Sequence, residues 1–126
     1  MEYKFTLRGE VPAKKNSRQT LRSGKTIPSE NYRKWHGNAL FQLIFQRNSQ
    51  KITAISEETS IFITLFHGDL RRRDGDNAAS SVLDTLRDAG IIEDDAWQIV
   101  RKITVENLYR KGEPGCEIRI IGYRQK

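Results

Sequence analysis

Between Thr59 and Phe66 the chain reads Thr-Ser-Ile-Phe-Ile-Thr-Leu-Phe, and no other stretch limits the possible folds as much. In an extended strand, alternate side chains point to opposite faces. Ile61, Ile63 and Leu65 therefore form one apolar row, and Phe62, Thr64 and Phe66 form a second. Such a strand is expected at the centre of a sheet, covered on both sides. Directly after it, His67-Gly68-Asp69-Leu70-Arg71-Arg72-Arg73-Asp74-Gly75-Asp76-Asn77 replaces the alternation with charge and glycine. A helix is predicted from Asp76-Asn77 to about Ala89, with Ala79, Leu83 and Leu86 on one face and Gly90 in the usual stop position. The fold is thus organised around a central strand that enters a helix through a charged loop.

The remaining segments fit around this unit. Residues 3–7 alternate polar and apolar and predict a strand with one buried face. From Val11 to Pro28 the chain carries Lys14, Lys15, Arg18, Arg22 and Lys25 without one acid, together with Pro12 and Gly24, and reads as a long basic loop. Pro28-Ser29-Glu30 resembles a helix start, after which Tyr32, Trp35, Ala39, Leu43 and Ile44 recur at helical spacing to about Arg47. Gln98–Tyr109 and Cys116–Tyr123 read as two strands joined by the turn-rich Lys111-Gly112-Glu113-Pro114-Gly115. The expected order is β-α-β-α-β-β in a single α/β (α+β) domain over residues 1–126, because a chain of this length suits one core.

A formal charge of +6 makes a polyanion the natural partner, either nucleic acid or an anionic membrane. No apolar run approaches the length of a membrane span, and the first residues lack the apolar core of an export signal. The single cysteine, Cys116, excludes an internal disulfide and a Cys-rich zinc site. A cytoplasmic protein acting on nucleic acid, without a membrane partner, is the expectation.

Asp74 and Asp76 stand two residues apart, so in an extended segment both carboxylates point the same way. Paired hard oxygen donors suit Mg²⁺, or Mn²⁺ in its place. Asp95 is expected to complete the set. The second helix carries the chain roughly 20 Å away at ~1.5 Å per residue, and about six extended residues at ~3.3 Å each can bring it back. Arg71, Arg72 and Arg73 would supply phosphate contacts beside such a site. A plainer reading of the same residues makes Asp76 a helix cap, Asp94 and Asp95 turn residues, and the arginines salt-bridge partners of the acids. The basic loop reads either as a DNA-binding arm or as a solvated loop.

Three motifs in order, Arg72-Arg73-Asp74-Gly75-Asp76-Asn77, Leu83-Asp84-Thr85-Leu86 and Ala89-Gly90-Ile91-Ile92-Glu93-Asp94-Asp95, resemble the signature of the RusA family of Holliday junction resolvases. The resemblance is specific over residues 71–100 and looser elsewhere. It implies a mixed sheet with flanking helices, a homodimer that nicks opposing strands of a four-way junction, and Mg²⁺-dependent catalysis by Asp74, Asp76 and Asp95. Asn77 and Asp94 would support them, and the products would carry a 5′-phosphate and a 3′-hydroxyl. One departure stands out: the family's lysine, one helical turn after the second aspartate, is Ser80 here. Lys14, Lys15 or Arg73 is expected to supply the missing positive charge. The competing functions are a catalytically silent binder of branched DNA and a nuclease for flaps, forks or RNA.

Overall fold

The computed structural model describes residues 1–13, 18–20, 22–24 and 26–124. The elements are β1 (Glu2–Arg8), β2 (Arg18–Thr20), β3 (Thr26–Pro28), α1 (Glu30–Ser49), β4 (Thr59–His67), α2 (Gly75–Asp88), β5 (Val100–Tyr109) and β6 (Gly115–Gly122). The expected order holds, with one addition. The segment read as an uninterrupted basic loop contains the short antiparallel pair β2–β3, in which Arg18 lies opposite Pro28. Periodicity has little to register in strands of three residues.

The helix starts follow from local chemistry. Ser29 caps α1, its hydroxyl accepting from the Tyr32 amide at 3.2 Å. Glu30 lies in the first turn, where a carboxylate meets the positive end of the helix dipole. Tyr32, Trp35, Ala39 and Leu43 are buried as the spacing predicted, whereas Ile44 is exposed.

The main sheet runs β1-β6-β4-β5. β6 is antiparallel to both β1 and β4, while β4 and β5 are parallel, joined by the α2 crossover. The sheet is therefore mixed. Its register places Ile61 beside Ile120, Ile63 beside Ile118 and Phe5 beside Ile118, so the buried strand residues share one face. Leu43 from α1 and Val82 and Leu86 from α2 join them in one core. Two layers result, with both helices over one face of the sheet.

β4 is central, but it is not covered on both sides as expected. On the open face Phe62, Thr64 and Phe66 remain half-buried. The Arg119 guanidinium lies 4.7 Å from the Phe62 ring centre and that of Arg110 3.9 Å from Phe66, so arginines supply the cover that a second helical layer would give.

Candidate nucleic-acid and metal site

β4 ends at His67, and the chain turns through the arginine run into the start of α2. This is the carboxyl end of a parallel β-α-β unit, the usual place for a site in sheets of this kind. The α2 N-terminus adds unpaired amides and a positive dipole end, which favour phosphate.

Asp74 occupies the N-cap position of α2, but its side chain makes no capping bond. Its carboxylate accepts instead from the Asn77 side-chain Nδ2 at 3.0 Å. The simple capping role suggested for Asp76 is not observed, because Asp76 lies in the first turn of the helix. Asn77 thus holds the Asp74 carboxylate over the first turn of α2.

The neighbouring charges are distributed unevenly. Arg73 donates to Asp69 at 2.8 Å and lies 3.4 Å from Glu10, with only 23% of its side chain exposed. Arg71 remains 82% exposed and lies 3.6 Å from Asp69. Hydrogen bonding from Arg73, aided by the Arg71 amide, lowers the Asp69 pKa to about 2. Asp69 and Glu10, not the motif aspartates, therefore take up the arginines. Asp74 and Asp76 have no ion pair among the described residues.

His67 ties this loop to the sheet. Its Nδ1 lies 2.7 Å from Glu10 Oε2 and its Nε2 lies 2.9 Å from Asn107 Oδ1. Asn107 also closes over the start of α2, where a Cβ on Gly75 would stand 3.0 Å from its amide nitrogen. The sequence reading assigned no role to Glu10, His67 or Asn107. Asn107 did leave a signal, since asparagine is disfavoured in the middle of a strand.

Asp95 does not return to this end of the sheet within one chain. Val100, at the start of β5, lies opposite Thr59 at the start of β4, while Asp74 follows the far end of that strand. Nine residues of strand separate the two ends by roughly 26 Å. Asp95 lies 3.3 Å from Arg87 in the last turn of α2 and raises the Arg87 pKa. Asp94 Oδ1 accepts from the Asp95 amide at 2.8 Å, fixing this bend. The physical reason is that β5 is itself the returning leg: it brings Asn107, not Asp95, back to Asp74. Among the described residues, no three His, Cys, Asp or Glu side chains gather as metal ligands.

A cleft of about 750 Å³ opens beside Asp74. Asp69, Arg72 and Asp74 line one wall, and Asn31, Lys34 and Asn38 of α1 line the other. The Ser81 hydroxyl donates to the Pro12 carbonyl at 2.7 Å, fixing the entry to the basic segment at the same cleft. Lys14, Lys15 and Lys25, expected to contact DNA, lie outside the described residues. Arg18 belongs to β2, and Arg22 is exposed.

An exposed arginine wall beside unneutralised carboxylates is the electrostatic pattern of a phosphodiester site. The family model described as Endodeoxyribonuclease RusA matches residues 9–121. The chain belongs to the RusA family. It is similar to the crossover junction endodeoxyribonuclease RusA of Aquifex aeolicus (strain VF5), with 30% identity over 112 residues, covering 88% of this chain and 85% of that protein. As a RusA-family endodeoxyribonuclease the chain departs from the family pattern at Ser80, which is exposed on α2. Arg73, one expected replacement for the lysine, is already held by Asp69 and Glu10. Among the described residues, Lys34 lines the wall opposite Asp74 and Arg72 lies on the Asp74 side of the cleft. No helix is long and apolar enough to cross a membrane.

Proposed function

We propose that this chain is a divalent-metal-dependent, structure-selective endodeoxyribonuclease that resolves four-way DNA junctions in the cytoplasm by paired, symmetric nicks. The observation that supports it most directly is that, among the described residues, Asp74 and Asp76 stand without a cationic partner at the head of α2, although three arginines precede them. Leaving two carboxylates uncompensated beside a polyanion site is unfavourable unless a cation joins them.

The donor set fits Mg²⁺, which binds through one or two carboxylates and keeps several waters. Asp74 and Asp76 would hold the ion, with Mn²⁺ as the substitute. When bound, it supplies positive charge beside the scissile phosphate. Asn77 holds the Asp74 carboxylate in place, and Arg72 with Lys34 receives the DNA backbone across the cleft. The His67–Glu10–Arg73–Asp69 network keeps the loop from collapsing onto the acids.

Asp95 enters this reading through a second subunit. Its place at the opposite end of β4 removes it from its own Asp74, and a four-way junction has two strands to cut, related by a two-fold axis. A homodimer in which each Asp95 serves the partner's site satisfies both conditions.

The test is cleavage of a labelled four-way junction with a short mobile core, in Mg²⁺, Mn²⁺ or EDTA, by the native chain and Asp76→Asn. Symmetric nicks that need metal and fall about 10²–10³-fold in the variant, with junction binding retained, are expected. Tight binding without nicks in either metal would establish a silent binder instead, the reading that Ser80 favours. Faster cutting of flaps or forks than of junctions would reassign the substrate.

A further inference from the structure

We propose that the outer face of α1 beyond the cleft carries unpaired DNA: the strand held at Asp74 continues along the helix, and its bases stack on Phe41 and Phe45. The inference rests on the endodeoxyribonuclease reading above and names the form of DNA that this site takes, a branch with unpaired nucleotides on one side of the cut.

α1 presents two different stripes. Tyr32, Trp35, Ala39 and Leu43 face the core. Lys34, Asn38, Phe41 and Phe45 follow one another at intervals of four, three and four residues, the spacing of a single helix face. The first two line the cleft opposite Asp74. Asn38 also lines a second groove, of about 760 Å³, together with Arg8, Gly9, Phe41 and Phe45. Cleft and groove therefore adjoin at Asn38, and the chain neighbours Gly9 and Glu10 line one each.

The far end of this stripe is apolar and open. Phe41 and Phe45 are 76% and 67% exposed, and Ile44 beside them is exposed as well. A contiguous apolar patch of this kind marks a contact surface. Its frame is fixed in advance, because a ladder of glutamines on α1 holds the helix to β1. Gln46 accepts from the Thr6 amide at 2.8 Å and donates to the Thr6 carbonyl at 2.7 Å. Gln42 accepts from the Arg8 amide at 2.9 Å, and Gln50 donates to the Lys4 carbonyl at 3.0 Å. The two rings thus project from a helix already anchored along its length.

Charge and shape select the occupant. Among the described residues that line the groove there is one cation, Arg8, and no acid. That suits a chain that is anionic along its backbone and apolar on flat faces. A paired base hides those faces in the duplex stack, whereas an unpaired base offers one to an aromatic ring. The distances agree with a strand leaving the cleft. Phe41 stands seven residues beyond Lys34, roughly 10 Å at ~1.5 Å per residue, and Phe45 about 6 Å further. At ~3.4 Å per stacked nucleotide, a strand reaches the rings about three to five nucleotides from the cut phosphate.

The experiment uses the full chain in EDTA, so that binding is read without cutting, and compares a fully paired four-way junction with one carrying a short unpaired tract beside the branch. The native chain should bind the opened junction more tightly. Phe41→Ala and Phe45→Ala should each weaken that binding about tenfold, and Phe41→Trp and Phe45→Trp should retain it. Because both rings are exposed, all four variants should keep the native urea midpoint. With 5-iododeoxyuridine in the unpaired tract, irradiation should crosslink the DNA to the α1 peptide that carries Phe41 and Phe45. Unchanged affinity in both alanine variants, or crosslinks confined to peptides outside α1, would overturn the proposal, and metal-dependent nicking by the same preparation would show that the endonuclease reading survives it. Crosslinks at α1 without nicking in Mg²⁺ or Mn²⁺ would support the groove and remove the endonuclease reading. Self-association of the native chain that disappears in Phe41→Ala, with DNA affinity unchanged, would assign the groove to a second copy and overturn the proposal.

Discussion

Asp69, Asp74 and Asp76 lie within eight residues of one another, yet among the described residues only Asp69 is bound to arginine. The difference comes from geometry. Arg73 is four residues from Asp69 across the turn and is also drawn to Glu10, so it folds back from the helix start and does not pair with the motif aspartates. A pH dependence follows. The Asp69 pKa is lowered to about 2 by Arg73, below its ordinary 3.8. A depressed folded-state pKa means that the stabilisation is present above about pH 4 and is lost as pH falls toward 2. Arg73→Gln should return the Asp69 carboxyl midpoint toward 3.8 in an NMR titration and lower stability above pH 4. At pH 2 it should have much less effect, and a midpoint that stays near 2 would show that Arg73 is not its cause. The aspartates of the motif were legible in the sequence because they adjoin. Glu10, His67 and Asn107 were not, because they meet only through the fold.

At the scale of elements, α1 has two roles that its sequence shows unequally. Its apolar residues mark a core-facing stripe, and Tyr32, Trp35, Ala39 and Leu43 fill it. The glutamines at 42, 46 and 50 follow the same helical spacing on a neighbouring face, where they look like ordinary solvated residues. Only the position of β1 reveals that they seal a sheet edge. Gln46→Ala removes two hydrogen bonds to the Thr6 backbone of β1 and one to the Gln42 carbonyl, and should cost about 1–2 kcal/mol in urea denaturation. It should also promote aggregation at high protein concentration by opening the β1 edge. A change within about 0.3 kcal/mol would show that water replaces the glutamine without loss. The expected second cover over β4 failed for a related reason. Phe62 and Phe66 announce an apolar face, but their spacing does not distinguish a helix from the arginine side chains that lie over them.

For the whole molecule, the net charge of +6 becomes functional because part of it is concentrated at one end of the sheet. Arg71 and Arg72 are exposed beside the cleft, and Lys34 faces them from α1. Junction binding should weaken steeply with salt, since each neutralised phosphate releases counterions. Arg72→Ala should reduce the slope of log affinity against log salt by roughly one. An unchanged slope would remove Arg72 from the phosphate contacts.

The sequence by itself determined the elements, the strand-to-helix passage that carries Asp74 and Asp76, and the family. Each depends on residues close along the chain, where helical and strand periods and motif spacing are written directly. Only the tertiary structure decided that β5, not the Asp94-Asp95 segment, returns to the site, that Arg73 belongs to Asp69 and Glu10, and that one sheet edge is sealed while the other is open among the described residues. Those outcomes depend on which distant strands pair and in what direction, and that choice is made by the burial of one shared apolar face rather than by any local stretch of chain.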